Sequence, residues 1–415
     1  MHPFSELVLP NGAIVPNRLA KAAMEENMAD DNHAPSDDLI RLYKSWADGG
    51  VGLIITGNVM IDRRAMTGPG GVVLESETAA PRFREWAKTA RSGGAQIWMQ
   101  INHPGRQMPA AMGQEAIAPS AIAMELGDFS SQFATPREMS EDDIADVRRR
   151  FVKSAQLAEQ FGFNGVEVHA AHGYLISQFL SPITNKRTDQ WGGPIANRAR
   201  LLVEVVKEIR QTVGKDFAVA VKLNSADFQR GGFSTDDAKT VIAMLNPLGV
   251  DMIELSGGSY EAPAMMGHAR DDKTLAREAY FVEFAKDIAT VADMPVMVTG
   301  GIRRYPVVKE VLDSGIDMVG MGTALAINPH LPKAWRSDQT TTAMLRAVTW
   351  KNKVMASAAV MAMVKYQLQR VSKGKPANPN VRPLFALLGQ QLQAKKQNKR
   401  YRRWMSKAMP HAQAA

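Results

Sequence analysis

Gly165-Val-Glu-Val-His169-Ala-Ala-His172-Gly-Tyr174 reads as a buried strand running into polar chemistry. The strand, Gly165–His169, is short and valine-rich, as strands covered by helices on both faces are. The same pattern recurs along the chain. Strands are expected at Arg18–Ala23, Gly52–Thr56, Gln96–Gln100, Gly165–His169, Ala218–Leu223, Met252–Ser256, Pro295–Thr299 and Val319–Met321, with helical stretches between them. That βαβ rhythm implies a parallel sheet, and eight strands predict an α/β fold closed into a (β/α)8 barrel.

The helices announce themselves at Asp37–Asp48, Thr78–Ser92, Glu141–Phe161 and Thr235–Leu248. Ser140 with Asp143, and Ser234 with Asp237, resemble capping boxes with Asp in place of Glu. From Asn102 to Met139 the rhythm breaks over Pro104, Gly105, Pro109, Pro119 and Pro136, which predicts a long loop after the third strand, lidding the site. After Thr340 two helices are expected, Met344–Val371 and Pro383–Met409, as an appendage outside the barrel. The expected division is therefore a barrel domain over 1–338 and a basic helical extension over 339–415.

At 415 residues with 45% hydrophobic and 22% charged side chains, the chain can bury a large core, and barrels of this size run as one unit. It has no cysteine, which excludes disulfides, thiolate-bound zinc, iron–sulfur clusters and cysteine nucleophiles. No leader pattern opens the sequence and no run is long and apolar enough to span a bilayer, so a cytoplasmic location is expected. The net charge of +8 is segregated. Residues 339–415 hold 15 Lys/Arg and no acidic residue, leaving 35 Lys/Arg against 42 Asp/Glu in the rest, a balance of −7.

Active sites of such barrels lie at the C-terminal ends of the strands. There the fourth strand places His169 and His172 three residues apart with Tyr174 beyond them. Two neutral imidazoles can donate to one developing oxyanion and a phenol can protonate a neighbouring carbon, a set suited to reducing a polarised double bond. From spacing alone the trio fits a packed structural cluster equally well. A metal reading is weaker, because no carboxylate completes a ligand set around the histidines.

Thr299-Gly300-Gly301-Ile-Arg303 and Gly320-Met-Gly322-Thr323 follow the seventh and eighth strands, where backbone N–H groups commonly hold a phosphate. Gln100 offers an amide to the imide edge of a heterocycle. Lys222, if it faces inward, predicts an anionic ligand, since a buried cation needs a partner.

Taken together, Asn17-Arg18-Leu19, Gln100-Ile-Asn-His-Pro-Gly-Arg106, Gly165 through Pro182, Asn185-Lys-Arg-Thr-Asp189, Gly192-Gly193 and Asn197-Arg-Ala-Arg200 resemble the signatures of the old yellow enzymes over about residues 1–335. The resemblance implies FMN at the barrel mouth, with Ala22, Ala23 and Met24 at the flavin, Gln100 on its pyrimidine edge, Lys222 near N1 and O2, and Gly300, Gly301, Gly322 and Thr323 at the phosphate. It implies His169 and His172 as the pair binding the substrate oxyanion and Tyr174 as proton donor, in a ping-pong reaction from NADH or NADPH through FMN to an activated alkene. Lys222 and Thr323 stand where arginine is usual, and Glu25 where threonine or cysteine is common. A flavin barrel that oxidises or isomerises its substrate, and a non-catalytic flavin protein acting through its tail, are the competing readings.

Besides a small-molecule substrate and the nicotinamide, a homo-oligomer is an expected partner. Lys395, Lys396, Lys399, Arg400, Arg402 and Arg403 crowd around Tyr401 and Trp404, a pattern that also suits contact with an anionic surface. The alternative is that Met344–Val371 packs on the barrel or on a second subunit and the remaining cations form a solvated end.

Overall fold

The computed structural model describes residues 1–263, 278 and 281–408. Eight parallel strands close into a barrel: β1 (Leu19–Lys21), β2 (Leu53–Ile55), β3 (Gln96–Asn102), β4 (Gly165–Ala170), β5 (Ala218–Asn224), β6 (Met252–Ser256), β7 (Val296–Thr299) and β8 (Met318–Met321). Each pairs with the next, β8 returns to β1, and the register runs through Glu167 opposite Gln100, His169 opposite Lys222, and Lys222 opposite Glu254. All eight expected strands are present, with ends shifted by no more than two residues.

Outside the barrel lie α1 (Asp37–Asp48), α2 (Ala80–Arg91), α3 (Glu141–Gln160), α4 (Arg200–Thr212), α5 (Thr235–Leu245), α6 (Val282–Ala289) and α7 (Tyr305–Asp313). Ser140 and Ser234 each accept from the backbone N–H three residues on, and Asp143 and Asp237 answer in kind, so both capping boxes form. The loop between β3 and α3 carries 3-10 turns and a short parallel pair, Ala116–Ala118 with Pro136–Glu138. Inside the barrel, Ala20, Leu53, Ile55, Trp98, Ala220, Met252, Met297 and Met318 pack with Leu7, Leu9 and Val15 of an N-terminal hairpin that the sequence reading missed. The hairpin's strands are only two residues each, too short to show a period.

The extension forms α8 (Lys353–Ser372) and α9 (Pro383–Ala408). The first begins nine residues later than expected, because Asn352 caps it by accepting from Met355 N–H at 3.0 Å, while Val348, Thr349 and Trp350 before it are poor helix formers. Met409, the expected last residue of the second helix, lies outside the described residues. The extension is not detached from the barrel. Tyr401 is fully buried with Met405 among Met60, Met66, Val73, Met108 and Met112, and its hydroxyl donates to Arg63 O at 2.8 Å. Trp404 stacks obliquely on His33, and the Arg63 guanidinium lies over its ring. The two aromatic residues expected to serve a surface contact are thus engaged by the barrel. Among the described residues no helix is long and apolar enough to cross a membrane.

Candidate active site

The turn after β4 is unusual backbone. His172 has φ +60° and Gly173 φ +74°, so a non-glycine residue occupies the left-handed region, at a cost of roughly 1–2 kcal/mol. Clamps hold it there. Asn224 Oδ1 accepts from His172 N–H at 3.0 Å, Gln107 Nε2 donates to His172 O at 3.0 Å, and a side chain on Gly173 would collide with Ser259 and Gln107. Asn224 in turn donates to Asp227 Oδ1 and Gly258 O.

This turn brings the three residues together. The His169 ring stands edge-on to His172 at 5.1 Å and to Tyr174 at 4.8 Å between centroids. Both imidazoles are held far below the usual histidine range, His169 by burial, then by His172 and Lys222, and His172 by burial, then by Lys222. They are neutral at physiological pH. His169 Nδ1 accepts from Ala171 N–H at 3.2 Å, which assigns its proton to Nε2, whereas His172 Nε2 meets the Ser256 hydroxyl at 2.7 Å. The Tyr174 hydroxyl shares a 2.9 Å hydrogen bond with Tyr260, and Asn58 Nδ2 approaches it at 3.5 Å. Burial, then Tyr260 and the charge of Glu25, push this phenol well above its ordinary value.

Below the trio the barrel holds a second polar layer. Lys222 points inward as expected, but Glu254 on the adjacent strand meets it at 2.6 Å, with the two side chains 3% and 1% exposed. Its charge is therefore answered within the protein, and the expectation that an inward Lys222 demands an anionic ligand does not hold. Gln100 Nε2 donates to Glu167 Oε2 at 2.5 Å. Burial, then the neighbouring Glu254, raises Glu167 well above the carboxylate range, while at Glu254 burial is the largest influence but Lys222 and the hydrogen bonds from Glu167 and Thr299 together overcome it and keep the group ionised. One carboxylic acid and one carboxylate thus share the barrel interior.

Toward the phosphate-type loops, Gly320 lets β7 and β8 close up, since a Cβ there would lie 2.0 Å from Thr299 Oγ1. Gly301 has φ +69°, and a Cβ on Gly322 would meet the Met24 side chain in ordinary contact at 3.6 Å. Ala22 N–H donates to Met321 O at 3.1 Å, so Ala22, Ala23 and Met24 stand beside those loops. Both amide atoms of Asn102, at the C-terminal end of β3, are buried without a partner, while Thr299 at the end of β7 hydrogen-bonds the Glu254 carboxylate. An unpaired buried amide at one strand end and glycine loops at two others fit a polar heterocycle carrying a phosphate.

Sequence reasoning missed Tyr260, Asn58, Ser256, Asn224 and Glu254. Ser256-Gly-Gly-Ser-Tyr260 does follow the sixth strand at the chemistry-bearing end, which was the available signal. The long loop reaches the segment after β6: Arg106 pairs with Glu261 beside Tyr260, and Glu125 N–H donates to Glu261 Oε1 at 2.7 Å.

The model of the NADH:flavin oxidoreductase / NADH oxidase family matches residues 10–341. The chain belongs to that family. It is 39% identical over 358 residues to the NADH-dependent flavin oxidoreductase iliE of Neonectria sp. (strain DH2), covering 80% of this chain and 47% of that protein. To the iliE protein of Hypocrea jecorina (strain QM6a) it is 36% identical over 355 residues, covering 80% and 88%. The chain therefore spans about half the length of one relative and most of the other. Its fold matches the old yellow enzyme homologue from Zymomonas mobilis with TM-score 0.70 at 24% identity, covering 84% of this chain and 95% of that one. As a member of this flavin oxidoreductase family the protein is an oxidoreductase whose cofactors are FMN and a nicotinamide donor.

Proposed function

We propose that this flavin oxidoreductase reduces activated alkenes of the enone type with hydride from NADH or NADPH. The observation that carries this reading is the convergence of His169, His172 and Tyr174, with both imidazoles neutral. Neutral imidazole donates a hydrogen bond without surrendering a proton to an enolate, so the pair stabilises negative charge on the substrate oxygen while the carbon stays free to be protonated. Tyr174 supplies that proton. FMN, when bound, relays hydride between nicotinamide and alkene. Ala22, Ala23, Met24, Gln100 and Lys222 would hold its ring, and Gly300, Gly301, Gly322 and Thr323 its phosphate.

The chain's own share is positioning, oxyanion stabilisation and proton supply. The β3–α3 loop is tied through Arg106 to Glu261, next to Tyr260. The test is steady-state nicotinamide oxidation under anaerobic conditions with cyclohexenone and with maleimide. Consumption that depends on the alkene supports the reading; nicotinamide oxidised without alkene turnover contradicts it.

A further inference from the structure

Glu25 follows Met24 at the end of β1 and its side chain is only 18% exposed. It stands on the proton-supply side of the site. Glu25 and Asn58, the amide that approaches the Tyr174 hydroxyl, line one small cavity. Its charge also acts on both phenols: burial is the main cause that raises Tyr260, and Glu25 is the next. Thr67 donates its hydroxyl to Glu25 Oε1, and Lys365 donates to Oε2 at 2.9 Å.

Lys365 lies in α8 of the C-terminal extension, 340 residues away, with a side chain 13% exposed. It also donates to Asn27 Oδ1, and Asn27 is itself in the left-handed region at φ +53°. From α9, Gln397 Nε2 donates to Asn27 O at 2.7 Å and Arg400 to Ala29 O at 3.3 Å. Both helices of the extension therefore grip the segment that carries Glu25. The other charged neighbour, Glu26, is turned away to Lys21 at 3.2 Å and Tyr43 at 2.7 Å. The titratable groups around Glu25 among the described residues are thus Lys365, Tyr174, Tyr260 and, behind Glu26, Lys21.

We propose that the C-terminal extension is part of the active site, with Lys365 a positioning residue that neutralises Glu25 so that the Tyr174–Tyr260 pair can carry the phenolate left by protonating the substrate. This rests on the reading of Tyr174 as proton donor. When the Tyr174 O–H bond breaks and the proton goes to the α-carbon, the electron pair stays on the phenol oxygen until solvent protons replace it. An unpaired anion nearby opposes that charge, whereas an ion pair does not. Burial works against ionised Glu25, and Lys365 and Thr67 overcome it, holding the carboxyl below its usual range. Without Lys365 burial is opposed by Thr67 and Asn27 alone, and the carboxyl rises.

The test uses full-length holoenzyme. In Lys365→Met, the rate of flavin reoxidation by cyclohexenone falls about tenfold from low to high pH as the unpaired Glu25 ionises, the order expected of one uncompensated charge acting on the phenolate at a protein's intermediate effective dielectric. The wild type shows no such fall, and Glu25→Gln/Lys365→Met removes it. Independently of turnover, the infrared difference spectrum between Lys365→Met and the double variant at the low-pH end shows one protonated carboxyl band beyond that of Glu167. A flat profile in folded Lys365→Met, or a fall that persists in the double variant, overturns the proposal. If Lys365→Met does not fold, Glu25→Gln decides: reoxidation at least as fast as wild type supports it, and a slower rate overturns it. Failure of the Tyr174 reading shows separately, as an unchanged alkene rate in Tyr174→Phe.

Discussion

Replacing Tyr174 with phenylalanine removes one hydroxyl and leaves the ring that stands edge-on to His169 at 4.8 Å. The hydroxyl's partners are Tyr260 at 2.9 Å and Asn58 at 3.5 Å. Tyr260 is half-buried and the Asn58 contact is long, so the stability cost stays near that of one ordinary hydrogen bond, about 1 kcal/mol. The catalytic cost is larger. General acid catalysis is typically worth ~10²–10⁴-fold, and the raised pKa of this buried phenol makes it a weak acid, which places the expected loss at roughly 10²–10³-fold. At about 1.36 kcal/mol per decade that is ~2.7–4 kcal/mol. Anaerobic stopped-flow separates the two half-reactions. Flavin reduction by nicotinamide needs no proton at carbon and keeps its rate in Tyr174→Phe, while reoxidation by cyclohexenone slows by the stated factor. Equal reoxidation rates in the two proteins, within threefold, would refute the proton-donor role.

His172→Ala and His169→Ala each delete a donor and weaken phenol binding by about tenfold, read from a charge-transfer titration; His172→Asn, which tolerates positive φ and keeps a donor, loses less. Unchanged affinity in the alanine variants contradicts the oxyanion assignment. Lys222→Met leaves the buried Glu254 carboxylate unpaired beside Glu167 and costs about 3–5 kcal/mol in denaturant unfolding, much more than any exposed ion pair. A loss below 1 kcal/mol contradicts the buried-pair picture. Burial lowers His103 to about 4. Because the unfolded chain protonates this imidazole near 6.5, its contribution is complete above that pH and is lost as pH falls toward 4, by on the order of 3 kcal/mol. Urea unfolding at pH 7, 5.5 and 4.5 should show the loss, and His103→Gln should reduce it.

Much of the barrel is legible because each strand is a short, buried, largely apolar run and three of its helices, at Ser36, Ser140 and Ser234, start on a serine cap, all within one βα unit. The trio is legible for the same reason, since His169, His172 and Tyr174 share one turn. What escaped depends on which strands become neighbours. Glu254 answers Lys222 only because β5 and β6 pair in a register that sets them side by side, 32 residues apart in sequence. Tyr260 reaches Tyr174 from the loop after β6. The extension hides its attachment best of all. Charge crowding around Tyr401 and Trp404 suggests a solvated face, yet the core methionines that receive Tyr401 come from loops far upstream. Lys365, one cation after an uncharged helical run, shows its meaning only once Glu25 is seen beside it.

The most direct test of the account is the flavin spectrum of the purified protein followed anaerobically through one cycle. The account predicts a yellow protein that is bleached by NADH or NADPH and regains its oxidised spectrum when cyclohexenone is added without oxygen. A protein that cannot be reconstituted with FMN, or a bleached flavin that stays reduced in the presence of the alkene, would contradict it.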